Sequence, residues 1–298
     1  MAENNSCINC GSERIELLFH CKDYLVSGEE FQIVRCPDCG LVKTDNPPSE
    51  SIIGKYYLSE DYISHSDTKK GITDRLYHFA RNIMLQRKKS LISRLFDQKK
   101  GLLLDIGSGT GYFPAYMQEK GWEVQGIEIS EQARNFSKSK FGISVFPPEE
   151  TDNIHQGTFD CITLWHVMEH FNDPIQWLVK IKYLLKDDGY CVIAVPNVAS
   201  SDARWFGKYW AAYDVPRHLW HFTPDTFSEM ATRNGFTLTS KRGMALDVFY
   251  ISILSYKNKN ASLPFIRGVL AGILLSFRNC FRRDSSSSLI YILRKQPA

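Results

Sequence analysis

The segment GLLLDIGSGTG at residues 101–111 places three glycines, two residues apart, directly after a run of leucines. The apolar residues 102–104 are typical of a strand that is buried on both faces of a parallel sheet. Glycine permits a positive φ and a close approach of the backbone, so the glycines predict a tight turn. We therefore expect a strand followed by a turn whose unpaired amides face a ligand.

Two common nucleotide loops do not match this segment. The phosphate loop requires a Gly-Lys-Ser/Thr ending, whereas Gly111 is followed by Tyr112. In the dinucleotide fingerprint the third glycine comes three residues after the second, whereas Gly111 comes two residues after Gly109. Asp105, just before the loop, would also repel a pyrophosphate. These features indicate a ligand that is cationic near Asp105.

Glu128 ends an apolar stretch and lies about 20 residues beyond the loop, where an α/β nucleotide fold places the acid that accepts the ribose hydroxyls. LLLDIGSGTGYF followed by GIEIS resembles the first two motifs of class I S-adenosylmethionine-dependent methyltransferases, and the resemblance covers roughly residues 100–245 and the last strand. It implies that Asp105 and the loop hold the methionine portion and Glu128 the ribose. The residues with which we expect the cofactor to make contact are Asp105, Gly107, Ser108, Gly109, Gly111, Tyr112, Glu128, Ile129, Trp165 and His166.

The alternation of strand-like and helix-like segments after residue 101 predicts an α/β fold with a doubly wound, mostly parallel, seven-stranded Rossmann-like sheet. We place its strands at residues 102–106, 123–128, 143–146, 159–164, 190–195, 236–244 and 288–294. The expected domains are a zinc ribbon (1–45), a helical linker or cap (46–100) and the methyltransferase domain (101–298), with a helical insertion at about 248–284.

Two CxxC pairs, Cys7/Cys10 and Cys36/Cys39, are separated by 25 residues. Each pair can present two thiolates from one turn, and two such turns complete a tetrahedral zinc site. Four sulfur ligands fill that site, so the zinc is expected to be structural. His20 and Cys21 lie between the pairs as alternative ligands. A zinc ribbon ahead of such a domain also resembles the arrangement in certain sugar methyltransferases.

The formal net charge of +3 over 298 residues is too small to indicate a nucleic-acid partner. The polar start MAENNSC lacks the apolar core of a signal peptide, so we expect a cytoplasmic protein.

Two helical stretches carry basic residues. The first covers residues 72–96, and its charges at 87–89 are interpreted as a solvated face. The second contains LPFIRGVLAGILLSF at 263–277, which is too short to span a bilayer and is followed by arginines. For residues 263–283 we favour a helix pair packed on the sheet or a homodimer contact; peripheral contact with an acidic membrane surface is the alternative.

Methyl transfer is an in-line displacement, and the polar groups that serve it are expected after the fourth and fifth strands. WHVMEHF follows the fourth strand, where Trp165, like Tyr112 in the loop, offers an aromatic face to the cationic sulfonium. A long loop rich in aromatic and histidine residues follows the fifth. The candidate catalytic bases are His166, His170, His218 and His221.

DVPRHLWHFT, at the end of the long loop, resembles a subset of these methyltransferases in which the loop covers the acceptor pocket. The resemblance makes His218 and His221 the leading bases, with Asp214 and Arg217 as orienting groups. The expected reaction is O-methylation of a hydroxylated small molecule, sugar or glycan precursor by S-adenosylmethionine. The alternatives are a lipid-linked or quinone-type acceptor at the membrane surface, a dinucleotide-dependent oxidoreductase, and a zinc-ribbon binding module.

Overall fold

The computed structural model describes residues 6–57 and 72–297. Over these residues the strands are β1 (Glu16–Lys22), β2 (Glu30–Arg35), β3 (Val42–Thr44), β4 (Leu102–Ile106), β5 (Glu123–Ile127), β6 (Val145–Phe146), β7 (Phe159–Trp165), β8 (Leu185–Pro196), β9 (Trp220–His221), β10 (Phe236–Gly243) and β11 (Ser288–Lys295). The α-helices are α1 (Glu50–Ile53), α2 (Ile72–Leu95), α3 (Tyr112–Glu119), α4 (Glu131–Phe141), α5 (Pro174–Leu184), α6 (Ser201–Phe206), α7 (Pro224–Arg233), α8 (Asp247–Asn258) and α9 (Pro264–Phe281).

The main sheet has seven strands in the order β10-β11-β8-β7-β4-β5-β6. Strands β4 to β8 pair in parallel, whereas β11 runs antiparallel to both β8 and β10. The predicted doubly wound, mostly parallel sheet is therefore confirmed. The fifth predicted strand begins earlier than expected, because Leu185 already pairs with Phe159.

Local sequence explains where the helices on this sheet begin. Asp173 caps α5 by accepting a hydrogen bond from the Gln176 amide at 2.9 Å, and Pro174 follows at the first helical position. Thr223 and Thr226 form a reciprocal capping box at the start of α7. Because β4 to β8 run in parallel, their carboxyl ends, and the loops after them, lie at one edge of the sheet.

A second sheet joins the N-terminal segment to the long loop after β8. Its order is β1-β2-β3-β9, and β9 lies within that loop. Val42 pairs with His221 and Lys43 with Trp220, while the Thr44 hydroxyl donates to the carbonyl oxygen of His218 at 2.7 Å. The N-terminal segment thus shares a sheet with the loop that carries two of the candidate bases. The three-part domain division stays a prediction.

The insertion after β10 forms a pair of packed helices, as favoured from the sequence. Gly268 on α9 lies against the backbone of Ile253 on α8, where a Cβ atom would overlap it. Ala271 and Leu275 are buried with Phe206 in one apolar cluster. Among the described helices, none combines the length and the apolar character that a bilayer span requires.

Arg217 ties the N-terminal sheet to the loop from a position that is only 1% exposed. Its Nη2 atom lies 2.9 Å from Asp23 and 2.7 Å from Asp214, and its Nη1 donates to the Tyr56 carbonyl oxygen at 2.8 Å. Burial opposes the charge on Asp23, but the hydrogen bond and charge of Arg217, together with backbone amides of the following turn, outweigh burial and lower the pKa of Asp23. The guanidinium therefore neutralises a buried carboxylate and holds three segments together.

We expect Arg217→Met to reduce the free energy of unfolding by about 3–5 kcal/mol, because it leaves Asp23 buried without its counter-ion. Urea denaturation measures the change. The matched control is Arg35→Met, which breaks the exposed ion pair with Glu16 and should cost at most about 1 kcal/mol. Equal losses in the two variants would contradict the anchoring role of Arg217.

Candidate active site

The glycine loop after β4 is shaped by three positive φ angles. Gly107, Gly109 and Gly111 have φ values of 72°, 54° and 79°. A Cβ atom would overlap Val167 at Gly107 and Ser137 at Gly111, whereas at Gly109 it would meet nothing within 4 Å. Gly107 and Gly111 are thus held against neighbouring elements, and the loop opens to space at Gly109.

Four amides of this loop are hydrogen-bonded within the protein, so the expectation of unpaired amides was wrong at these positions. The amides of Gly107 and Ser108 both donate to the carbonyl oxygen of Ile127, at 2.7 and 3.0 Å, and the Gly111 amide donates to Ser108. The Gly109 amide donates to Glu128 Oε2 at 2.8 Å. These bonds bind the loop to the end of β5, so the loop offers space beside a carboxylate instead of a ring of open donors.

Glu128 lies at the end of β5 with its carboxylate oriented by two backbone amides. Besides Gly109, the Ser130 amide donates to its Oε1 at 2.9 Å. Ile129, the next residue, is 81% exposed. A fixed carboxylate beside an exposed apolar side chain can bind paired hydroxyls and cover one face of a flat ring, as expected for the ribose and adenine of a nucleoside.

Asp105, at the carboxyl end of β4, is buried and accepts a hydrogen bond from Thr163 at 2.5 Å. Burial raises its pKa to about 7, although Thr163 and Lys88 act in the opposite direction. The pKa of Lys88 is lowered to about 8 by burial, against the favourable charges of Asp105 and Asp247. An acid and a base in one poorly solvated place are a common feature of functional sites.

Sequence reasoning missed Lys88, which was interpreted as part of a solvated face. Its ammonium nitrogen lies 4.3 Å from the centroid of the Trp165 ring, at the carboxyl end of β7. The sequence spacing could have indicated that Lys88 faces the protein, since the buried Leu85 and Leu91 lie three residues to either side of Lys88 on the same face of α2.

A cationic side chain of α2 also lies over the ring of Tyr112. The guanidinium carbon of Arg81 lies 3.8 Å from the centroid of its ring, and its hydroxyl accepts a hydrogen bond from Lys140 at 2.7 Å. The aromatic faces expected to meet a sulfonium, those of Tyr112 and Trp165, are thus next to cationic side chains of one helix. Helix α2 covers the cofactor end of the sheet.

His166, directly after β7, has a positive φ of 59° and is held between two carboxylates. Its Nε2 lies 3.1 Å from Asp247 and its Nδ1 3.5 Å from Glu169. Burial opposes protonation, but the two acids outweigh it and raise the pKa of His166 to about 10. An imidazole that is protonated at neutral pH cannot accept a proton, so this geometry supports an orienting cation and not a base.

His170 and His218 come together beside Glu169. Their ring centroids are 4.6 Å apart, and one potential ligand atom of each of the three residues lies within 4.8 Å of the others. Burial, followed by the neighbouring His218, lowers the pKa of His170 to about 4. Glu169, which belongs to the predicted segment WHVMEHF, is fully buried. Burial opposes its charge, but His166 and the other two histidines together outweigh this and lower the pKa of Glu169.

His221 does not join this group. It lies buried in β9, its Nε2 is 3.0 Å from the Thr44 hydroxyl, and its ring edge meets Tyr213. Burial lowers its pKa to about 3. The ring is part of the contact between the N-terminal sheet and the loop, and this geometry gives no support to the predicted role as a base.

The four cysteines of the two CxxC pairs converge as predicted. Cys7 Sγ lies 3.5 Å from Cys39 Sγ, Cys10 Sγ lies 3.5 Å from Cys36 Sγ, and all four sulfurs are within 4.8 Å of one another. Tetrahedral zinc with a Zn–S distance of about 2.3 Å places its sulfurs about 3.8 Å apart. Cys21 is not in the cluster; its thiol faces the Lys208 carbonyl oxygen.

Comparison with known proteins identifies the family. The family described as Methyltransferase domain matches residues 78–241. An uncharacterized methyltransferase of Alkaliphilus oremlandii is 32% identical over 109 residues, which are 36% of this chain and 50% of that protein. A ubiquinone biosynthesis O-methyltransferase of Cereibacter sphaeroides is 26% identical over 159 residues, or 49% of this chain and 64% of that one. The chain spans about half the length of the first of these relatives.

A solved structure shows the same fold. The SAM-dependent methyltransferase from Archaeoglobus fulgidus aligns with a TM-score of 0.51 and 20% identity, over 72% of this chain and 94% of that one. The family match covers more than half of the 298 residues, and the chain therefore belongs to the methyltransferase-domain family.

Proposed function

We propose that the chain transfers a methyl group to a hydroxyl of a sugar or sugar-like small molecule that also carries an anionic group. The observation that carries this proposal is a cavity of about 410 Å³ between α2 and the ends of β10 and β11. Four of its lining residues are cationic and none of the described lining residues is acidic; the cations are Arg87, Lys88, Arg94 and Arg242. A phosphate or carboxylate fits this charge.

The cavity adjoins the cofactor end of the sheet through Lys88, which lines it and also lies over Trp165. Asp247 then connects this point to His166, and His166 connects it to Glu169. We place the rest of the acceptor along this line of charged groups, toward the histidines after β7. This continuity supports one acceptor site between α2 and the long loop.

The residues present fit S-adenosylmethionine. Bound, it supplies a methyl group on a cationic sulfur. Asp105 offers a carboxyl group beside the loop, Glu128 an oriented carboxylate for the ribose, and Ile129 an apolar surface for the adenine. Lys88 adds a cation that suits the carboxylate of the methionine portion, and Trp165 gives an aromatic wall.

An acceptor hydroxyl must lose its proton, and the pair His170 and His218 is the proposed place for it. Each ring has its Nδ1 beside a backbone carbonyl oxygen, so Nδ1 carries the proton and Nε2 can accept one. Glu169 supplies the negative charge that stabilises an imidazolium next to it. Of the four predicted bases, His218 and His170 are retained.

We further propose that the four-cysteine cluster holds a structural Zn²⁺, because its sulfur spacing fits a tetrahedral site. The oxidoreductase and binding-module alternatives are not favoured, since the family match covers the domain that would have to perform them.

Isothermal titration with S-adenosylhomocysteine tests the cofactor assignment. We expect micromolar binding that Glu128→Ala weakens at least tenfold, since each hydrogen bond to an ionised group contributes about 1.5–3 kcal/mol. Glu131→Ala, an exposed acid in the first turn of α4, is the matched control and should bind as the wild type. Binding of NADH in place of S-adenosylhomocysteine would overturn the assignment.

Methyl transfer to nucleoside-diphosphate sugars and to the corresponding free sugars tests the acceptor class. The phosphorylated acceptors should be preferred, and Arg242→Gln should raise their KM at least tenfold by removing one of the cavity's cations. Arg35→Gln, which breaks an exposed pair with Glu16, is the control. A preference for uncharged sugars, unchanged in Arg242→Gln, would contradict an anionic acceptor.

The outer face of α9 favours a second candidate, an acceptor presented at a lipid surface. Six exposed apolar side chains form one stripe along α9 and its N-cap residue, and the most exposed of them is 68% exposed. They are Leu263, Ile266, Leu270, Ile273, Leu274 and Phe277. The exposed Arg267 and Arg278 lie beside this stripe. Apolar side chains with flanking arginines suit an anionic membrane interface.

Co-sedimentation with vesicles tests this surface. The chain should pellet with phosphatidylglycerol-containing vesicles more than with pure phosphatidylcholine, and Leu270→Glu should abolish the difference. Leu17→Glu, on the exposed face of β1, is the control. Failure of the wild type to pellet would overturn the lipid surface, and a dimer that Leu270→Glu converts to a monomer would assign the stripe to a homodimer contact instead.

A further inference from the structure

Glu169, His170 and His218 bring three potential metal ligands together. Glu169 and His170 belong to the short turn after β7, and His218 belongs to the loop that ends in β9. One potential ligand atom of each residue lies within 4.8 Å of the others. Two elements distant in sequence thus converge on one point.

The backbone fixes which nitrogen of each ring is available. Nδ1 of His170 lies 3.0 Å from the carbonyl oxygen of Arg217, and Nδ1 of His218 lies 2.9 Å from that of Ala212. The Tyr57 hydroxyl also lies 3.1 Å from Nδ1 of His170, but a hydroxyl can accept as well as donate, whereas a carbonyl oxygen only accepts. Both Nδ1 atoms therefore carry the proton, and both Nε2 atoms keep a lone pair. An Nδ1–H bound to a carbonyl is the usual outer contact of a metal-ligating histidine, because it fixes the tautomer and the ring orientation.

The carboxylate between these rings lacks hydrogen bonds. Glu169 is 0% exposed, and neither of its oxygens has a hydrogen-bond partner among the described residues. Its nearest counter-charge is His166 Nδ1, at 3.5 Å. A buried carboxylate without donors is costly unless a cation neutralises it, and that histidine is already shared with Asp247.

We propose that Glu169, His170 and His218 form a binding site for a divalent transition-metal ion of the zinc type, separate from the four-cysteine cluster. Two imidazoles and one carboxylate are the ligands of open catalytic zinc sites, in which a further position is left for water or substrate. Asp214, 3.8 Å from His218 Nε2, is the nearest additional acid to that ring.

The site would have a defined use in the proposed reaction, and this part of the inference rests on that proposed function. An acceptor hydroxyl at the open position would be held in place, and its pKa would be lowered by the ion. In the metal-bound form His170 and His218 act as ligands and do not accept the hydroxyl proton, which would pass instead to the Asp214 carboxylate beside His218. Metal binding itself does not depend on the identity of the acceptor.

Metal content of the full-length protein tests the site. After all bound metal has been removed by a strong chelator under reducing conditions, Co²⁺ is titrated while absorbance and protein-bound metal are measured. We expect two equivalents, one with the thiolate-to-cobalt charge-transfer band of the cysteine cluster and one without it. Glu169→Gln and His218→Ala should each lose the second equivalent and keep the charge-transfer band, which also reports that the N-terminal sites remain folded.

His155→Ala, which removes an exposed histidine outside the cluster, is the control and should retain both equivalents. A wild-type protein that takes up only the thiolate-bound cobalt overturns the proposal, as do variants that all keep two equivalents. S-adenosylhomocysteine is titrated into the same samples. If the wild type binds S-adenosylhomocysteine but takes up no second metal, the metal site alone is refuted. If the wild type does not bind S-adenosylhomocysteine, the result counts against the methyltransferase assignment.

Discussion

The buried guanidinium of Arg217 is the interaction on which the rest of this site depends. It neutralises Asp23 in the N-terminal segment and Asp214 in the long loop, and it binds the Tyr56 carbonyl oxygen. Its own carbonyl oxygen accepts the Nδ1 hydrogen of His170, and the next residue is His218. One side chain therefore fixes the loop, while the backbone at the same residue orients a histidine.

The N-terminal segment consequently has a second task besides holding its cysteines. Through β3 it supplies the strand on which β9 lies, and through Thr44 it fixes the backbone of His218 and the ring of His221. A four-sulfur metal site that stabilises this small sheet would stabilise the acceptor loop with it. Metal-linked stability of the ribbon and order of the acceptor end are physically coupled in this arrangement.

Helix α2 performs the corresponding task at the cofactor end. It brings Arg81 over Tyr112 and Lys88 over Trp165, so that both aromatic rings face cations. Lys88 also lies within the field of Asp105 and Asp247. The two ends of the site are joined by one chain of charges, in which Asp247, His166 and Glu169 alternate in sign.

The local sequence pattern was sufficient to predict features that are formed within one structural element. The run of leucines and the glycine spacing predicted β4 and its turn, and the position of Glu128 after β5 followed from the strand and helix lengths. The two cysteines of each CxxC pair lie together because the turn is a local structure. The two pairs meet because the strands between them, β1 and β2, pair antiparallel. Pattern was insufficient for the loop amides, since their acceptor, the Ile127 carbonyl oxygen, belongs to the neighbouring strand.

The sequence by itself determined the order of strands and helices, the glycine loop with its two acids, and the paired cysteines, because hydrophobic periodicity and turn chemistry act over a few residues. Only the tertiary structure decided the roles of the histidines. His166, His170, His218 and His221 are the same residue type, yet one is clamped between two acids, two meet beside a buried carboxylate, and one lies in a strand. Burial and the charge of distant neighbours set the protonation of an imidazole, and those neighbours are chosen by the fold.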